Sequence, residues 1–157
     1  MLQLLRTNSH HTDFIELVKN LDKDLKERDG EDHAFYAQFN TIDTIKYVVI
    51  AYENEIPVGC GAIKEYDPVT VEIKRMYTAP GGRGKGVATQ VLLSLEKWAN
   101  ELSYTRCVLE TGIRQPEAIG LYKKSGYYRI PNYDQYKGVE DSLCFEKLIP
   151  KDIFSTL

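Results

Sequence analysis

No run in this chain approaches the ~20 consecutive apolar residues of a membrane-spanning helix, and the apolar part of its opening "MLQLLRTNSHH" is too short for a secretory signal core. Nothing repeats, no tract is of low complexity, and no block of like charge is long enough for a linker or tail. Cysteine is scarce: Cys60, Cys107 and Cys144 are odd in number, far apart and set in apolar runs, which argues against a disulfide framework and fits small core residues. His10, His11 and His33 stand at no zinc-like spacing from them, so no metal is expected. A basic excess is missing too. Twenty Lys and Arg against 23 Asp and Glu leave a net charge of -3, without the footprint of a nucleic-acid binder. The expectation is a cytoplasmic protein with no nucleic acid and no membrane as partner. A small, roughly neutral partner fits this balance better.

What is present is ordinary globular material: 157 residues, 43% apolar and 27% charged, enough for one core and one domain over residues 1–157. Phe14, Leu17, Val18, Leu21 and Leu25 recur at spacings of three and four, which predicts an amphipathic helix over 12–29 ended by Gly30. Asp22 with Lys26 and Asp24 with Arg28 are four apart on its polar side. "DGEDHAFYAQFN" then reads either as a short helix leading to Phe39 and facing substrate, or as a solvated loop with two core anchors. "YVVIAY" and "IPVGCGAIKEY" read as a hairpin turned at Glu53, Asn54 and Glu55, and "VTVEIKRMYT" as a third strand of the same meander. Val87, Val91, Leu92, Leu95, Trp98, Ala99 and Leu102 trace a helix ending near Ser103. "TRCVLET" is a buried strand, "PEAIGLYKKS" a short helix between Pro116 and Gly126, and "DSLCFEKLI" the last strand. The class is mixed α/β around one sheet.

Between the third strand and the long helix lies "MYTAPGGRGKGVATQ", with four glycines and two positive charges. It is not a Walker-type phosphate loop, because reading Gly84-Lys85 as its end puts Ala79 at the first glycine and Gly86 where a hydroxyl would bind magnesium. It is not a dinucleotide fingerprint either, since Thr89 falls at the third glycine. A strand end, a glycine loop and a helix start can still gather backbone N–H groups around an anion, with Arg83 and Lys85 adding charge. A tight turn with solvated basic residues has the same spacing.

Arg83-Gly84-Lys85-Gly86-Val87-Ala88 matches the [QR]-x-x-G-x-[GA] signature of the GNAT superfamily of acetyl-CoA-dependent N-acetyltransferases, and "QPEAIGLYKKSGY" resembles its second signature, N-x-x-A-x-x-L-Y-x-K-x-G-F. With "AYENEIPVGCGAI", which looks like the family's central strands, the resemblance covers roughly residues 45–148. It implies a twisted, mostly antiparallel sheet of six to seven strands with helices on both faces, and acetyl-CoA as co-substrate. It also implies that Met76, Tyr77 and Thr78 pair with the pantetheine arm through their backbone, and that Arg83, Gly84, Lys85, Gly86, Val87, Ala88 and Thr89 wrap the pyrophosphate. Gln115 stands where the family often has the asparagine that touches the cofactor arm. Gly81 and Gly82 replace bulkier residues, which implies a loop that the cofactor orders.

The acceptor implied is a primary amine, small or peptide-borne. At pH 7 only about one lysine-like amine in 2,500 is neutral, a deficit of about 4.6 kcal/mol, so a base must take its proton. Glu72 is the first candidate. It lies four residues before Met76, which period-two counting puts on the same strand face, and it matches the glutamate of the histone-acetyltransferase branch; a cross-strand partner for lysine is the structural alternative. Glu110 at the end of "CVLET" is the second, and a held water chain a third. Tyr122 in "LYKKSGY" matches the tyrosine that gives the departing thiolate a proton. Tyr133, Tyr136 and Asp141 in "IPNYDQYKGVED" offer rings and an acid that suit a cationic amine, or else form a surface loop. Residues 13–32 carry eight acids and four bases while 74–86 carry Lys74, Arg75, Arg83 and Lys85 with no acid, which fits an anion and a cationic amine entering at different places. Self-association as a homodimer stays open.

Overall fold

The computed structural model describes residues 1–30 and 44–150. The segment 31–43, with its alternative readings as helix or loop and with His33, lies outside the described residues. Among the described residues, seven strands and three α-helices follow in the order β1 (Leu2–Thr7), α1 (Thr12–Asp29), β2 (Tyr47–Glu53), β3 (Ile56–Asp67), β4 (Thr70–Thr78), α2 (Val87–Glu101), β5 (Arg106–Gly112), α3 (Pro116–Lys124), β6 (Tyr128–Ile130) and β7 (Ser142–Leu148). The strands form one sheet in the order β1-β2-β3-β4-β5-β7-β6. Pairing is antiparallel at β1–β2, β2–β3, β5–β7 and β6–β7 and parallel at β4–β5, where it covers Thr70–Glu72. None of the described helices is long and apolar enough to cross a membrane. The chain divides into two compact units, Met1–Lys64 with Lys74–Leu95 and Glu65–Ile73 with Glu96–Leu157.

In the first unit, α1 is held at both ends by local chemistry. His11 Nδ1 accepts from the Asp13 N–H at 3.1 Å, and Gly30, at φ 56, returns its N–H to the Lys26 carbonyl. Phe14, Leu17 and Val18 pack with Ile45, Val48, Ile50, Cys60 and Ala62. Asp24 reaches Arg28 at 3.6 Å, and Asp22 reaches the buried Arg75 guanidinium at 3.5 Å. The β2–β3 hairpin closes through Asn54 and Glu55, both at positive φ (52 and 66), which is the two-residue turn whose twist matches its strands.

Alternation along β3 then sends Cys60 and Ala62 to the α1 side and Gly59 and Gly61 to the other, where α2 begins. A Cβ at Gly59 would stand 2.7 Å from Val87 Cγ1 and 3.1 Å from the Tyr77 carbonyl oxygen, and one at Gly61 would collide with Met76 Sδ and Leu95. These glycines answer to close packing, because neither has the positive φ that would demand glycine on backbone grounds. Helices therefore cover both faces of β3, as expected.

In the second unit, β5 lies between β4 and β7, and the register sorts its residues by face. Glu72, Val108, Glu110, Cys144 and Glu146 share one face, and Val71, Cys107, Leu109, Phe145 and Lys147 the other. Glu96, on the last turns of α2, is 1% exposed, and its carboxylate accepts from Tyr127 and from Lys147, each at 2.8 Å. A buried charge needs such partners.

β1 and β6 are the two elements that no pattern announced. β1 is an edge strand exposed along most of its length, so it lacks alternation, and β6 has three residues. Gly61→Ala should lower stability by roughly 1–3 kcal/mol, read as a fall in the urea midpoint at unchanged slope, because Met76, Val91 and Leu95 must shift to admit one methyl.

Candidate functional site

The first unit holds the glycine loop. β4 ends at Thr78, Ala79 donates its N–H to the Val58 carbonyl at 2.8 Å, and a single 3₁₀ turn over Pro80–Gly82 leads to Arg83. Gly82 is buried, with its Cβ position 2.9 Å from Val58 Cβ, so the missing side chain there serves close contact. Gly84 and Gly86 differ in kind. Both have positive φ, 78 and 76, and a Cβ on either would meet nothing within 4 Å, so backbone conformation alone selects glycine.

Gly86 accepts the first helical bond of α2, from Gln90 at 3.1 Å, and offers no side chain to the N–H groups of Val87, Ala88 and Thr89. The first turn of α2 carries no acid. Backbone donors and the positive end of a fifteen-residue helix thus open onto an exposed loop, which suits an anion with several oxygens. Arg83 Nε donates to the Thr78 carbonyl at 3.1 Å, and Lys85 Nζ pairs with Glu53 at 3.0 Å. Met76 turns its sulfur toward the Gly61 side.

The second unit holds the acids and phenols. Tyr133 donates its hydroxyl to Glu72 Oε2 at 2.6 Å, and its ring meets Tyr66 edge-on at 5.3 Å and Tyr136 at 5.7 Å. Glu72 and Glu110 share a face of the sheet. Burial first, then the charges of Glu110 and Glu72, push the Tyr136 hydroxyl well above its ordinary range; burial and Glu72 do the same to Tyr133. The segment 132–142 is pinned by Asn132, whose amide donates to the carbonyls of Tyr136, Val139 and Ser142 at 3.1, 3.0 and 2.9 Å. Asp141 sits apart from these acids in one respect: its carboxylate pairs with Arg114 at 3.1 Å on an exposed edge.

Tyr122, on α3, is 6% exposed and lies among Tyr127 (5.7 Å) and Phe145 (6.4 Å). Burial, then Glu110, raises its hydroxyl above the usual tyrosine range, which keeps it protonated at any working pH. Tyr127, tied to Glu96, fixes the ring beside it. Gln115 precedes α3, half-buried, with no side-chain bond to the helix start. Arg75, at φ 59, interrupts the extended backbone of β4, so period-two counting from Glu72 stops before Met76. Sequence reasoning missed Tyr66 and Asn132. Tyr66 ends an alternating strand, and the asparagine stands directly after Ile130-Pro131, the one signal that could have marked a built turn.

A model of the acetyltransferase (GNAT) family matches residues 14–127. An uncharacterized N-acetyltransferase of Escherichia coli K12, YjgM, is 39% identical over 90 residues, 54% of this chain and 52% of that protein. The chain thus spans about half the length of that relative. Among solved structures, a candidate acyl-CoA N-acyltransferase from Klebsiella pneumoniae superposes with a TM-score of 0.80 at 25% identity, over 95% of this chain and 98% of that one. A GNAT family acetyltransferase from Elizabethkingia anophelis with acetyl-CoA bound shares the fold at a TM-score of 0.66 and 17% identity, covering 94% and 98%.

Cys60, Cys107 and Cys144 are all buried, and burial pushes their thiols up to about 12, about 12 and about 11. A thiol reagent such as Ellman's should therefore label none of them at pH 8 in the native protein within the time that labels all three in denaturant. Fast native labelling of any one would contradict the burial described.

Proposed function

The chain belongs to the acetyltransferase (GNAT) family, and from that premise we propose that it transfers an acyl group, acetyl foremost, from coenzyme A directly to a primary amine in a ternary complex. The observation that carries this reading is the pair Gly84 and Gly86, whose positive φ and open surroundings bare the N–H groups at the start of α2, a helix with no acid in its first turn. Arg83 to Thr89 would hold the pyrophosphate through backbone N–H groups and Met76, Tyr77 and Thr78 the pantetheine arm, and Gln115 takes the motif position whose asparagine touches the cofactor arm in the family. An acyl-CoA supplies the acyl group as a thioester. The match of the family model to residues in both units supports reading 1–157 as one domain.

In the reaction the amine nitrogen bonds to the acyl carbon, the carbon–sulfur bond breaks, and the nitrogen gives a proton to Glu72. Tyr122 meets the sulfur. A thiol titrates near 8.5 and this phenol above 10, so full proton transfer would run uphill by about 2 kcal/mol or more; Tyr122 therefore acts chiefly by a hydrogen bond to the developing thiolate. The buried thiols offer no thiolate for a covalent route. The rings of Tyr66, Tyr133 and Tyr136 near Glu72, with Glu110 on the same sheet face, would suit a cationic acceptor.

Calorimetry with acetyl-CoA should show micromolar binding, and a thiol-release assay over a panel of amines should show amine-dependent turnover. Binding without turnover on any amine would favour a coenzyme A sensor, and no binding would end the reading. Tyr122→Phe should lower kcat tenfold or more with acetyl-CoA affinity unchanged, since the bond it makes strengthens only in the transition state. Glu72→Gln should lower kcat tenfold or more with acetyl-CoA affinity unchanged, because an amide cannot take the amine's proton.

A further inference from the structure

Glu72 is not a bare carboxylate on a strand. Its Oε2 receives the Tyr133 hydroxyl at 2.6 Å across 61 residues of sequence, and the Tyr133 ring is gripped on two edges, by Tyr66 at 71° and Tyr136 at 90°. The backbone behind it is equally built. Asn132 ties together the carbonyls of Tyr136, Val139 and Ser142, while turns close from Tyr136 to Tyr133, Lys137 to Asp134 and Val139 to Tyr136. We propose that Tyr133 is a positioning residue: delivered by the Asn132-pinned segment, its phenol holds the Glu72 carboxylate in the orientation in which it takes the acceptor's proton. This rests on the acyltransferase reading above and deepens it.

A carboxylate on a strand keeps rotational freedom about its side-chain bonds, and a misoriented base loses most of its advantage. A donated hydrogen bond removes that freedom. The groups that act on this place are Tyr66 from β3, Glu110 and Arg106 from β5, Cys144 and Glu146 from β7, and Tyr133, Asp134 and Tyr136 from the pinned segment. Arg106 is engaged by Glu146, and the Tyr133 hydroxyl is a neutral donor suited to the task. Tyr133 itself cannot be the acid or base. Burial and the adjacent carboxylate drive its titration far above any working pH.

The test uses the full chain with [13Cδ]glutamate, the Glu72 resonance being assigned by its loss in Glu72→Gln. In Tyr133→Phe that resonance should broaden and change its chemical shift at fixed pH, as a carboxylate freed from its donor samples more orientations, and kcat should fall about tenfold with KM for acetyl-CoA unchanged. Asn132→Ala, which loosens the segment but keeps the phenol, should change both in the same direction by less, and serves if the phenylalanine variant folds poorly. An unchanged resonance or an unchanged kcat in a folded Tyr133→Phe protein overturns the proposal while leaving Glu72 as the base. A Glu72→Gln variant with undiminished kcat overturns Glu72 as the base, and with it the positioning role, without touching coenzyme A binding.

Discussion

Close approach of α2 to β3 is the constraint on which the glycine loop depends. Gly59 and Gly61 present no side chain to the helix, so Val87, its first residue, rests against the strand backbone and against the Tyr77 carbonyl side of β4. Val91 and Leu95 fill the same surface further along. A helix start fixed in this way can offer its first N–H groups at one place, and the two positive-φ glycines before it keep the approach open. Had β3 carried alanine at these sites, the same loop sequence would sit on a displaced helix.

The second unit depends on a different balance. Glu72 and Glu110 lie on one sheet face beside Tyr133 and Tyr136, whose hydroxyls lose water and gain negative neighbours together, so both stay neutral donors. On the other face the buried Glu96 is satisfied by Tyr127 and Lys147, and the Tyr127 ring stands against Tyr122. Glu72 on one face therefore meets a phenol, and Glu96 on the other is closed by a lysine and a tyrosine. The first arrangement leaves chemistry to be done; the second holds a tyrosine in place.

Much of the fold was legible in the residues. The apolar run "YVVIAY", the alternation in "VTVEIKRMYT", the three-and-four spacing of α1 and the glycines at positions 30 and 126 each specify a local backbone state, and the elements formed where those signals stand. The exposed edge strand β1 and the three-residue β6 were not legible, because each is stabilised by pairing with a neighbour and not by its own pattern. At the candidate site, the loop from Arg83 to Thr89 and the tyrosine at 122 stood out by motif. The bond from Tyr133 to Glu72 did not, since nothing local in either segment encodes a partner 61 positions away.

The sequence by itself determined the class of the protein, its helix and hairpin boundaries and the conformational demand at Gly84 and Gly86, all of which follow from short-range sterics and hydrogen bonding. Only the tertiary structure decided which glycines serve packing and which serve backbone freedom, which of the twenty-three acids share a face with phenols, and that Asp22 reaches Arg75 and Lys85 reaches Glu53. Those outcomes depend on register and on burial summed over distant segments, and a shift of one residue in β4, β5 or β7 would turn every one of their side chains to the opposite face.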